Sequence, residues 1–92
     1  MRRKAKIDSN QETIARALEK EGALVERRLA RIGEGVPDLL VCYKNIWYVF
    51  EVKGLKEPLT EREKKWHEKF KNAYVVRTVQ DALSIIKGAK NE

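Results

Sequence analysis

Apolar positions along this chain follow two patterns, helical spacing towards both ends and near-continuous runs in the middle. Ser9-Asn10-Gln11-Glu12 has the form of a capping box. Ile14, Ala17 and Leu18 follow it at helical spacing, so a first helix is expected there, ending at Gly22. Residues 23–29 read as a strand whose Glu26, Arg27 and Arg28 mark it as an edge strand or one facing a ligand. Residues 31–37, with Gly33 and Gly35, read as a loop. Residues 38–43 and 46–53 are the two strongest strands. They are apolar on both faces over most of their length and so belong at the centre of a covered sheet. Thr60-Glu61-Arg62-Glu63 is a second capping box, opening a helix with Trp66 and Phe70 on its inner face. Residues 74–77 form a short strand, and Thr78 caps a last helix with Val79, Ala82, Leu83 and Ile86 at helical spacing. The order is α-β-β-β-α-β-α, which fits an α/β domain with a mixed sheet flanked by helices.

A length of 92 residues allows one domain, with residues 1–8 expected as a flexible basic N-terminus. No apolar run is long enough to cross a membrane, so no membrane role is expected. One cysteine, Cys42, excludes a disulfide framework and a cysteine-cluster zinc site, and suits a reducing cytoplasm. Lys and Arg number 20 against 14 Asp and Glu, a net charge of +6 that points to a polyanionic partner, most often nucleic acid. Arg27, Arg28, Arg31, Lys56, Arg62, Lys64 and Lys65 flank the central strands. They are candidates for DNA phosphate contacts, or a solvated face. His67, the single histidine, reads as a solvated surface residue. Cys42 reads as a core residue.

If Lys44-Asn45 is a two-residue hairpin loop, Asp38 falls directly opposite Glu51, and Lys53 shares their side of the sheet. Facing carboxylates repel and require a cation. Lys53 could be that cation, in a buried cluster with no further purpose. A divalent metal is the other answer. Oxygen ligands without histidine or thiolate suit Mg²⁺ or Mn²⁺, and the Val52 backbone carbonyl could add a ligand.

These residues resemble a known family. Pro37-Asp38, a gap of twelve residues and Glu51-Val52-Lys53 match the PD-(D/E)xK phosphodiesterase signature. The longer string Gly35-Val36-Pro37-Asp38-Leu39-Leu40, then Phe50-Glu51-Val52-Lys53, then Leu59-Thr60 opening a helix with Trp66, resembles the virus-type replication-repair nuclease (VRR-NUC) domain in its stand-alone form. The resemblance implies Asp38 and Glu51 as metal ligands and Lys53 as the group acting on the attacking water. It also matches Glu12 to an additional acidic residue that completes the metal site, the preferred reading over a role confined to the capping box. Glu63 stands where the family usually has glutamine, as a substitute ligand, a capping residue or a change that weakens activity. The implied function is a Mg²⁺- or Mn²⁺-dependent endonuclease for branched or Holliday-junction DNA. A homodimer is expected on separate grounds, because one short domain offers a single site and symmetric junction cutting needs two; the segment around Leu29, Ile32 and Val36 is preferred as its contact over the last helix near Ile85. A basic α/β module that binds nucleic acid without cutting it is the alternative.

Overall fold

The computed structural model describes residues 4–88, and its elements follow the expected order. They are α1 (Lys4–Lys20), β1 (Leu24–Glu26), a 3₁₀ turn (Arg28–Arg31), β2 (Leu39–Tyr43), β3 (Ile46–Val52), α2 (Glu61–Lys69), β4 (Ala73–Val76) and α3 (Val79–Ile86). The four strands form one mixed sheet in the order β1-β2-β3-β4. β2 runs antiparallel to both of its neighbours, β1 and β3, and β4 runs parallel to β3 after the crossover through α2.

Register follows from the hairpin tip. Lys44 and Asn45 both take positive φ, 50° and 68°, as a two-residue type I′ turn requires. Tyr43 therefore pairs with Ile46, and the ladder runs down to Leu39 opposite Phe50. One step further, Asp38 faces Glu51.

Side chains alternate along the strands, so Leu39, Val41, Tyr48, Phe50 and Val52 share one face. They form the core with Ile14, Ala15 and Leu18 of α1, Val76 of β4, and Ala82 and Ile86 of α3. Towards the end of β3, residues 50 to 53 are all buried, so both faces are covered there. The second cover is the start of α2. Its Glu63 meets Lys53 on the face opposite Phe50 and Val52.

Several local expectations are corrected. The first helix opens at Lys4, ahead of Ser9, so the Ser9–Glu12 motif lies inside it. No proline or glycine interrupts residues 4–9, and alanine and lysine are strong helix formers, so the helix runs through the box. Residues 4–8, expected as part of a flexible N-terminus, are thus helical, and residues 1–3 lie outside the described residues. The helix does end at Gly22, at φ 106°, where Ala23 N–H reaches Leu18 O and Gly22 N–H reaches Glu19 O. This is a Schellman cap. β1 stops at Glu26 instead of extending to Leu29, because the Glu26 carboxylate takes the backbone N–H and guanidinium of Arg28 and bends the chain into the 3₁₀ turn. α2 carries no fully buried residue: Trp66 is half-buried and Phe70 is exposed, the two rings meeting edge to face at 5.2 Å. His67, expected in solvent, is half-buried, and its Nε2 has no hydrogen-bond partner. Cys42 is half-buried in mid-β2.

Candidate active site

Asp38 precedes β2 and follows Pro37, which is buried and has no N–H to donate at the strand entrance. The Asp38 carboxylate Oδ2 accepts the Val52 N–H at 2.8 Å, extending the β2–β3 ladder through a side chain. Glu51, near the end of β3, has a side chain only 5% exposed. Lys53 continues the chain beyond β3, its N–H bonded to Val76 O, and its side chain is 7% exposed. A cavity of about 350 Å³ opens over these groups, lined by Asn10, Asp38, Glu51, Val52, Lys53, Gly54, Glu57 and Glu63. The hairpin thus brings together Asp38, Glu51, Val52 and Lys53 as the sequence implied.

The electrostatics are those of a site short of positive charge. Burial pushes the Glu51 carboxyl up to about 9, reinforced by the charges of Asp38 and Glu63. Burial also raises Asp38, outweighing the Val52 N–H and the Lys53 charge that pull it down. Lys53 Nζ lies 3.7 Å from Glu51 Oε2, 3.4 Å from Glu57 Oε2 and 2.8 Å from Glu63 Oε1. Burial works against its charge, yet these carboxylates prevail and leave Lys53 raised, a firm cation. One lysine therefore serves several acids. Glu51 Oε1 is buried without any hydrogen-bond partner. A buried carboxylate oxygen left in this state is costly unless protonated or bound to a cation. Together with an all-oxygen donor set, that orphaned atom makes Asp38 and Glu51 fit a hard divalent cation. Among the described residues, no three His, Cys, Asp or Glu side chains form a complete ligand group, so these two are a partial set.

Glu12 is not brought to this cavity. It accepts Arg27 Nε at 2.9 Å and Nη2 at 3.1 Å, and Arg16 Nε at 2.9 Å. The Arg27 and Arg16 hydrogen bonds hold its carboxyl down to about 2. The α1 residue lining the cavity is Asn10, and two residues along a helix is a turn of about 200°, which directs Glu12 elsewhere. Its position also removes the capping role, since it lies in the interior of α1. Glu63 does serve its capping box and also binds Lys53.

The basic candidates divide. Arg27 is held by Glu12 and Glu19, Arg28 by Glu26, Arg62 by Glu34 and Lys64 by Glu61. Arg31, Lys56 and Lys65 are exposed with no ion pair among the described residues, which leaves them the freest to meet phosphate. Three contributors escape a reading by sequence. Asn10 is legible only as an inner position of the Ser9–Glu12 box, with no chemistry attached to it, and Glu57 lies in no motif, though it sits four residues after Lys53. Arg77 reaches across to Gly54 O and to Glu57 O at 2.7 Å, fixing the loop that carries Glu57.

No family model and no curated protein matches the chain. A solved structure described as a VRR_NUC domain superposes with a TM-score of 0.71 at 25% identity, covering 86% of this chain and 91% of that one.

Proposed function

Because the chain has the VRR-NUC domain fold, we propose that it is a divalent-metal-dependent endonuclease that cuts DNA, with branched and four-way junctions as its substrate class. The observation that carries this reading is the buried, unpartnered Oε1 of Glu51 beside Asp38, in a cavity that also holds Lys53. Asp38 and Glu51 would hold Mg²⁺ or Mn²⁺, with the Val52 carbonyl as a further donor. The cation, when bound, supplies polarisation of the scissile phosphate and a lowered pKa for an attacking water. Lys53, kept charged by its carboxylate neighbours, donates from Nζ and so orients the water or a phosphate oxygen; it does not abstract a proton. Arg31, Lys56 and Lys65 provide charge for the flanking phosphates.

Branched substrates suit a two-fold homodimer, since one domain holds one such site and symmetric junction cutting needs two on opposite strands. The loop around Leu29, Ile32 and Val36 is the proposed contact. Ile32 is 58% exposed there, on the segment that leads into Asp38. A second reading, a cytoplasmic module that binds nucleic acid without cutting, draws on the carboxylate of Glu63 already engaging Lys53 at 2.8 Å. A panel of duplex, flap, single-stranded and four-way DNA with Mg²⁺, Mn²⁺ or chelator separates the two. Metal-dependent cutting supports the nuclease, and binding without cutting supports the module.

A further inference from the structure

The three carboxylates around Lys53 Nζ are not equivalent. Glu51 and Glu57 stand at 3.7 and 3.4 Å, while Glu63 Oε1 is at full hydrogen-bond length, 2.8 Å. Glu51 is the most buried of the three but stands beyond hydrogen-bond distance; of the other two, Glu57 is 55% exposed on its side chain and Glu63 only 14%, so the Glu63 bond is the better sheltered from water. The same oxygen, Glu63 Oε1, accepts the Thr60 N–H at 2.8 Å. In return, the Thr60 hydroxyl accepts the Glu63 N–H at 3.2 Å. The capping box therefore fixes the direction of the Glu63 side chain, and a single oxygen serves both the helix start and the lysine. The adjacent residue, Arg62, presses on the loop before Asp38. A Cβ added at Gly35 would come within 2.5 Å of Arg62 Cβ and 2.8 Å of its carbonyl carbon. One turn of helix thus bears on both polar strand ends.

We propose that Glu63 is a positioning residue for Lys53, tying the N-terminal cap of α2 to the site so that the first turn of α2 clamps the lysine and the aspartate loop in register. The kinetic consequence rests on the nuclease reading; the tie itself does not. Three substitutions separate reach from charge. Glu63→Gln keeps the length and one oxygen acceptor, Glu63→Asp keeps the charge but is one methylene short, and Glu63→Ala keeps neither.

The test combines heteronuclear NMR of the Lys53 ammonium, without DNA or metal, and steady-state cleavage of junction DNA with Mn²⁺. Wild type and Glu63→Gln should show a restrained, exchange-protected Lys53 ammonium, lost in Glu63→Asp and Glu63→Ala. Cleavage should follow, with kcat down about tenfold or more in Glu63→Asp and Glu63→Ala, KM within about twofold, and Glu63→Gln rescuing, because small misplacements of a reacting group cost rate rather than binding. A Lys53 signal equally restrained in folded Glu63→Asp overturns the tie. So does rescue by Glu63→Asp but not Glu63→Gln, which would make the role one of charge alone. A fall in Tm with kcat unchanged would reduce Glu63 to a helix cap and overturn it as well. If wild type does not cut, the nuclease reading fails, and the NMR arm still decides the tie.

Discussion

At the scale of single residues, Glu51 carries a pH signature. Its carboxyl has a value of 4.5 when unperturbed and rises to about 9 in the fold, first through burial and then through the charge of Asp38. Between those two values the folded chain binds a proton that the unfolded chain has released. The contribution is thus complete below 4.5 and is lost as pH climbs through about 9. Metal-free wild type should lose stability relative to Glu51→Gln over that window, and the difference in denaturation midpoint between the two proteins, taken across pH, isolates the effect. Added Mn²⁺ should remove the decline, because a cation replaces the proton. A parallel pH dependence in both proteins would show that Glu51 is not held protonated. Lys53 makes a separate prediction. Lys53→Ala should abolish cleavage while calorimetry still detects metal binding, since Asp38 and Glu51 remain; loss of binding with cutting intact would reverse the assigned roles.

At the scale of elements, the two glycines before Asp38 are separable. Gly33, at φ 74°, has nothing within 4 Å of where a Cβ would stand, whereas Gly35, at φ 83°, is pressed against Arg62. Gly33→Ala should cost only the left-handed conformation, about 1–2 kcal/mol. Gly35→Ala adds a backbone clash, so its loss in urea unfolding should be greater, and kcat should fall because the Asp38 loop shifts. Equal losses would argue against the α2 contact. What could be read from sequence at this scale was whatever neighbours decide. The Lys44-Asn45 turn fixes the hairpin register, and with it Asp38 opposite Glu51; Thr60 and Thr78 cap their helices through bonds three residues long. What could not be read depends on distant partners. Glu12 is captured by Arg27 fifteen positions away, and Arg77 anchors the Glu57 loop from another strand end. The Ser9 box failed for a different reason: a local cap signal cannot start a helix where the preceding residues already favour one.

At the scale of the molecule, the net charge of +6 makes binding electrostatic, yet several candidate arginines are already paired within the chain. Log K for duplex DNA should fall linearly with log[salt], by about 0.9 per phosphate neutralised, and the slope should be shallow, since of the seven flanking basic residues only Arg31, Lys56 and Lys65 are not already paired to a carboxylate. Substituting those three by alanine should flatten it, while Arg28→Ala should leave it nearly unchanged; the reverse ranking would misplace the binding face. Sedimentation with four-way DNA addresses the proposed two-fold unit, which predicts two chains per junction, against one for a monomer. A cleavage gel of labelled four-way junction decides whether Asp38 and Glu51 form a metal-dependent cutting site. Wild type and Asp38→Asn are run side by side with Mn²⁺ or chelator, and their junction binding is measured in parallel. Wild type should cut only with Mn²⁺, and Asp38→Asn should not cut at all despite undiminished binding; cutting by Asp38→Asn at the wild-type rate would rule this metal site out.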